Sequence, residues 1–364
     1  MNALHLSGPV LADDDRVLDE AWVVDGALRL SDPGAAAEGA RTVSGWVVPG
    51  LVDVHCHVGL GPMGAVSKEE AEEQARIDRD LGTLLVRDAG SPQDTAWIHE
   101  RHDLPRLIRS GKHLAYRKRY LRYFADELDD VTQLPEAVAR EAQRGDGWVK
   151  IVADWIDRSM GREADLTPLW PPEVLVDAVA AAHENGARIT AHTFAHEAVG
   201  PLLDAGVDGL EHGTGMDADH IAEAASRGIA VTTTLLQVAN FAGFAAQAEP
   251  KYPVFAARMR AMYARRYAHV MALHEAGVPL LMGSDAGGTI EHGTLPEELA
   301  ENARAGLSPA DVLGYATWRA RDYLGVDGIS EGASADVVVY DADPRTDVGV
   351  YARPAAVILR GRLC

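Results

Sequence analysis

GARITAHTFAHEAVGPLLDAGVDGLEHGTGMDADHIAEAASRGIAVTT, residues 186–233, states one pattern and repeats it. Short apolar runs (187–192, 207–211, 229–233) alternate with amphipathic, alanine-rich stretches (197–205, 217–227). Gly186, Gly206 and Gly228 each stand just before a run, where the glycine that ends a helix belongs. The pattern predicts strand, helix, strand, helix, which builds a parallel sheet.

The same alternation continues on both sides. Runs at 51–55, 83–87, 148–152 and 278–283 are followed by helix-like stretches at 67–81, 93–100, 172–185 and 296–305. The run 229–233 precedes one at 254–276, and 106–109 precedes a long polar section. Eight such units, with further helices after Ser308, predict an α/β fold of the (β/α)8 TIM-barrel type. A doubly wound sheet is the competing fold, but it leaves unexplained why polar residues gather at the strand ends.

Outside that body lie short strands. Trp22-Val23-Val24 and Ala27-Leu28-Arg29-Leu30 flank Asp25-Gly26, a hairpin signal, and 336–340 and 356–359 are strand-like at the other end. A few short strands cannot bury a core alone, so the two ends are expected to pair. The expected domains are residues 1–50 with 325–364 as the small unit and 51–324 as the barrel.

Composition narrows the partners. Acids number 55 against 34 bases, for a net charge of −21. Such a surface repels phosphates and anionic lipid, which argues against nucleic acid and membrane partners. Two cysteines, Cys56 and Cys364, and no apparent secretory signal fit a cytoplasmic protein. The expected partner is a small molecule, with self-association left open.

The strand ends carry the chemistry. In Asp53-Val54-His55-Cys56-His57, residues two apart share a side, so His55 and His57 can bind one ion together. Lys150 interrupts the apolar Trp148-Val149-Lys150-Ile151-Val152, an expensive placement unless the amine is used. His192, His212 and Asp285 end three more strands. Nitrogen and oxygen ligands without thiolate suit Zn2+, with Mn2+, Fe2+ or Co2+ also compatible. Cys56, pointing the other way, reads as a small buried apolar residue.

With those residues in place, the chain resembles the amidohydrolase superfamily, in its imidazolonepropionase-like and Xaa-Pro dipeptidase-like branch. The resemblance rests on 47–57, Val86-Arg87-Asp88-Ala89-Gly90, Trp148-Val149-Lys150-Ile151, Ala191-His192, Gly209-Leu210-Glu211-His212-Gly213-Thr214 and Gly283-Ser284-Asp285-Ala286-Gly287, and it runs nearly end to end. It implies a barrel beside a β-sandwich made from both termini. It implies two divalent metal ions, one held by His55, His57 and Asp285, the other by His192 and His212. Lys150, as a CO2-derived N6-carboxylysine, would bridge them. The activity implied is hydrolysis of an amide, peptide, lactam or carbamate by a metal-bridging hydroxide. Asp285 would be the proton shuttle, and Asp285 and His212 the catalytic residues. Glu211 is read either as support for the ligands or as structural.

Other readings stay open at this level. One is a mononuclear deaminase or an imidazolonepropionase-type ring-opening hydrolase; another is an inactive barrel that only binds. Substrate contacts are expected from Arg119 and Tyr120, within a basic aromatic segment, 113–123, that departs from the family's Gly-Gly-His. That segment reads as a helix with a basic face or as a lid. Phe194, where relatives often carry His, Gln237 in an apolar loop at 237–245, and His292 after strand eight complete the expected contacts.

Overall fold

The computed structural model describes residues 3–364. Both ends of the chain meet in one eight-stranded sheet. Leu4–Leu11, Val17–Val24, Ala27–Arg29, Arg41–Ser44 and Trp46–Pro49 come from the front, and Val337–Tyr340, Ala356–Leu359 and Arg362–Leu363 from the back. The joint is Trp46–Pro49 against Val337–Tyr340, antiparallel, with Val337 opposite Pro49. Asp25 and Gly26 both take positive φ (51° and 82°), the twist that a two-residue hairpin needs. Strand alternation sorts the valines: Val337 and Val339 pack with Leu6, Val23 and Ile358, while Val338 and Tyr340 face the main core. The terminal sheet is therefore buried on both faces at its joint.

The body is built of parallel strands. Leu51–Cys56, Thr83–Asp88 and Arg106–Arg109 form one set. Asp126–Leu128, Leu114–Tyr116, Trp148–Val152, Arg188–Thr193, Gly209–His212, Ala230–Thr232 and Leu280–Leu281 form the other, in that order. Hydrogen bonds link the first set to segments that adjoin strands of the second. Val54 N donates to Met282 O (3.0 Å) and Asp285 N to His55 O (2.7 Å); on the other side Asp146 N donates to Arg109 O (2.7 Å).

Most helices fall where the spacing placed them, but 93–100 holds only a short 3-10 helix, Ala96–Glu100. Lys68–Asp80, Pro172–Glu184, His196–Ala205, Ala218–Arg227, Pro253–Glu275 and Leu295–Ala305 separate the strands, and Pro309–Ala316 and Trp318–Leu324 come after. Gly206 and Gly228 cap their helices in the left-handed region, φ 84° and 66°. No helix among the described residues is long and apolar enough to cross a membrane.

Three further stretches differ from expectation. The segment 113–123 is not a helix: Leu114–Tyr116 is a strand, and positive φ at Lys118 (58°) and Tyr123 (68°) turns the chain beyond it. Burial of Leu114 and Ala115 between neighbouring strands outweighs the helical spacing of the basic residues. The apolar loop at 237–245 is two short helices, Leu235–Ala239 and Phe241–Ala248. Leu235, Val238, Phe241 and Ala245 are buried, a stripe at helical spacing that the sequence does contain. The polar section after 106–109 holds a further helix, Leu134–Arg144, whose buried face includes Leu134, Ala137 and Val138.

The eighth strand approaches the first so closely that only glycine fits between them. A Cβ on Gly283 would lie 2.5 Å from His55 Cβ and 2.7 Å from Thr232 Cγ2. Gly283→Ala is expected to cost about 1–3 kcal/mol of stability through overpacking, read as a lowered urea midpoint. An unchanged midpoint would show that this seam is loose.

Candidate metal centre

Six side chains from five strand ends gather in one place. His55 and His57 share a side of Leu51–Cys56 and its continuation, with ring centroids 5.2 Å apart. The pairing register sets His192 opposite Val152, two residues beyond Lys150, and His212 opposite Thr193. The rings of His55 and His212 are 5.0 Å apart and those of His212 and His192 4.7 Å, so the four imidazoles form a continuous row. Asp285 Oδ1 lies 3.0 Å from His55 Nε2 and 3.3 Å from His57 Nε2. Lys150 Nζ lies 3.4 Å from the same His55 nitrogen. None of the six is more than 8% exposed.

The protons show that a cation fits here. His57 Nδ1 is 2.6 Å from the carbonyl oxygen of Gly90, which has no hydrogen to give, so Nδ1 carries the proton. Burial lowers the pKa of His57, which keeps the ring neutral and leaves a lone pair on Nε2, facing a carboxylate oxygen. That contact is repulsive unless a proton or a metal ion lies between. His192 Nδ1 and His212 Nε2 meet at 3.0 Å, and burial holds both rings well below the ordinary imidazole pKa. Two neutral imidazoles meeting nitrogen to nitrogen share one proton or one ion. His192 Nε2 is buried without a partner. Burial pushes the Asp285 carboxyl up, but the His55 ring beside it outweighs that and holds the group well below the usual carboxylate range. Burial also brings the Lys150 amine down to about 8. The donors of His55, His57 and Asp285 are close enough together to hold one ion, and neutral nitrogen with ionised oxygen is the donor set that a divalent ion takes.

Beneath the row lies a layer that orients it. Glu211 Oε2 is 2.8 Å from His55 Nδ1, while its Oε1 accepts from Arg87 Nη2 (2.5 Å) and Thr190 Oγ1 (2.5 Å). Glu211 and Arg87 are each 1% exposed. Glu211 thus orients the ring of His55, a candidate ligand. On the other flank, His212 Nδ1 is 2.7 Å from Thr234 Oγ1. His212, Thr234 and Asp285 take φ of 67°, 41° and 56°, values that non-glycine residues seldom adopt. Strain of that kind persists where surrounding contacts force it. Here Glu298 supplies one such contact, accepting from Leu235 N (2.7 Å) and Leu236 N (2.8 Å) just after Thr234.

The row opens onto a cavity of about 410 Å3 that reaches the surface. Of the expected substrate contacts, Tyr120, Phe194 and Gln237 line it. Phe194 meets His192 edge-on, ring centroids 4.2 Å apart, and Tyr120 lies against Trp155 at 4.7 Å. Two expectations are corrected. Arg119 does not line the cavity: its guanidinium donates to Trp155 O and Thr167 Oγ1 and faces Asp157. His292 is turned away, with Nδ1 2.8 Å from Asp78 Oδ2 and 3.7 Å from Cys56 Sγ. Cys56 itself is fully buried among Val58, Val86 and Leu104.

Sequence reasoning gave no role to Arg87, Thr234, Trp155 or Glu298. Arg87 left a signal, an arginine inside the apolar run 83–87, which demands a buried acid as partner. His113 stood in the segment read as a departure, yet it is buried at the cavity wall, its ring 5.6 Å from that of His57.

The family model described as the amidohydrolase family matches residues 46–364. An uncharacterized protein of Mycobacterium bovis is 50% identical over 361 residues, spanning 99% of this chain and 95% of its own length. An ochratoxinase of Aspergillus niger is 25% identical over 235 residues, 63% of this chain and 48% of that protein. Among solved structures, a Xaa-Pro dipeptidase with bound methionine in its active site superposes with a TM-score of 0.82 at 19% identity, over 100% of this chain and 99% of that one.

Replacing Arg87 by Met removes a cation from Glu211 while keeping volume. Breaking a buried pair from one side is expected to cost about 3–5 kcal/mol in chemical denaturation. A cost below about 1 kcal/mol would show that His55 and Thr190 hold the Glu211 charge unaided.

Proposed function

The chain belongs to the amidohydrolase family, and from that premise we propose that it is a binuclear metal-dependent hydrolase of a C–N bond in an amide, peptide, lactam or carbamate. The observation that carries the proposal is the row of four buried imidazoles, in which His192 and His212 meet nitrogen to nitrogen and His55 and His57 both turn Nε2 toward Asp285. His55, His57 and Asp285 would hold one ion, and His192 and His212 the other. Lys150 would link them as a CO2-derived N6-carboxylysine, because an uncharged amine cannot bridge two cations. Zinc suits these donors best. Bound there, the ions would supply Lewis acidity toward a carbonyl and ease the ionisation of water.

The chain's own residues do the rest. In the net reaction the C–N bond breaks, water's oxygen bonds the carbonyl carbon, and its proton goes to the leaving nitrogen. Asp285, ionised and at the cavity wall, takes that proton and passes it on. Tyr120, kept protonated by burial, stands in the wall as a donor for the developing oxyanion. The apolar wall keeps bulk water from competing.

The same reading makes residues 51–324 a closed (β/α)8 barrel, and residues 1–50 with 325–364 a small β-sandwich beside it. The bonds from Val54 to Met282 and from Asp146 to Arg109 support closure.

Metal analysis of the purified protein tests the proposal, paired with release of amine from a panel of N-acyl amino acids, dipeptides and cyclic amides. About two zinc-like ions per chain are expected. Lys150→Ala should lower that content and cut hydrolysis more than about a hundredfold. One ion per chain that survives Lys150→Ala would turn the reading to a mononuclear deaminase or an imidazolonepropionase-type ring opener.

A further inference from the structure

The cavity wall says more about the substrate than the metal site does. Its volume, about 410 Å3, is that of a pocket for a whole organic molecule. Phe124, Trp155, Phe194, Phe244 and Phe255 make up much of the lining. The one acidic side chain in it is Asp285, already engaged with His55 and His57. A free peptide amino group would therefore enter without a carboxylate of its own to meet.

The charges at the mouth have the opposite sign. Arg158 and Lys251 belong to the lining and are exposed. Neither has a salt-bridge partner among the described residues. Their neighbours are neutralised: Arg119 faces Asp157, and Arg258 is clamped by Asp165 (2.8 Å) and Glu197 (2.7 Å). Lys251 lies over the Tyr252 ring at 5.1 Å, and in a chain with a net charge of −21 two cations without an acidic partner in one cavity lining make a local positive patch. Leu121, Tyr123, Met160 and Val254 are exposed, and each is a lining residue or lies within two positions of one.

We propose that the substrate is an amide with a bulky aromatic or similarly large apolar group on one side of the scissile bond, no cationic group, and a carboxylate that reaches Arg158 and Lys251 at the mouth. This rests on the hydrolase reading for the bond that is cut, and deepens it by naming the molecule around that bond. It separates this chain's substrate from a small dipeptide with a free amino terminus.

N-(2-naphthoyl)-L-leucine, its carboxamide and the dipeptide Leu-Leu are suitable probes on the zinc-loaded full chain. Binding is read by naphthoyl fluorescence and, for Leu-Leu, by competition; cleavage is read by release of naphthoate or leucine. The acid is expected to bind about tenfold more tightly than the carboxamide, the scale of two partly solvated charge contacts. It should outcompete Leu-Leu by more than that. Raising sodium chloride from about 0.05 to about 0.5 M should shrink the preference for the acid, because these cations are open to screening. In an Arg158→Gln/Lys251→Gln double variant the ratio should fall to about one, with melting temperature and zinc content serving as the check on the fold. A ratio near one in the unmodified protein, or one unchanged in the double variant, overturns the inference. Charge-dependent binding without naphthoate release would instead count against the hydrolase reading and leave this one standing.

Discussion

A charge fully withdrawn from water must find its counter-charge within a few ångströms, and most of the centre of this protein is built around that requirement. Glu211 sits 1% exposed beneath the histidine row. Arg87 neutralises it, Thr190 donates to it, and His55 stands against its other oxygen. Arg87 in turn lies over the Trp148 ring at 4.9 Å. One carboxylate thus binds four strands together: Thr83–Asp88, Arg188–Thr193, Gly209–His212 and Leu51–Cys56. It also decides which way His55 faces. Such an arrangement contributes less to net stability than an apolar core of equal volume, but it makes one register far better than its neighbours.

The site above that layer is rigid for the same reason. His212, Thr234 and Asp285 hold backbone angles that cost energy wherever they occur. Each is answered by a specific contact: Thr234 with His212, Glu298 with the two amides after Thr234, and Asp285 with both His55 and His57. Donors held in place before an ion arrives need no reorganisation when it does. The terminal sheet takes no part in the row. Its contribution is to cover the core, with Val338 and Tyr340 packed inward and Arg106 bonded to Asp336 at 2.6 Å.

The family relation and the cavity carry different kinds of information. The family likeness lies in the strand-end motifs, whereas the aromatic walls come from the segments between them. Trp155, Phe244 and Phe255 arise from segments with no metal chemistry, and Arg158 and Lys251 lie close to them in the chain. That division is expected where chemistry sits on strand ends and recognition on the loops and helices between strands.

The amino-acid sequence alone determined the alternation of strands and helices, the pairing of the two chain ends, and the six residues that gather at the strand ends, the four imidazoles with Lys150 and Asp285. Those features are local: a glycine before a run, a histidine two places from another, a lysine in an apolar strand. Each leaves its mark within a few residues. Three things were decided only in the tertiary structure. Arg119 and His292 found carbonyl and carboxylate partners elsewhere and left the cavity, while His113 entered it. The segment 113–123 became a strand and turns because neighbouring strands buried Leu114 and Ala115. The choice of Arg158 and Lys251 as the open cations depended on which arginines already had an acid within reach. Pairing between residues far apart in the chain leaves no periodicity behind, and so it could be seen only once the chain had folded.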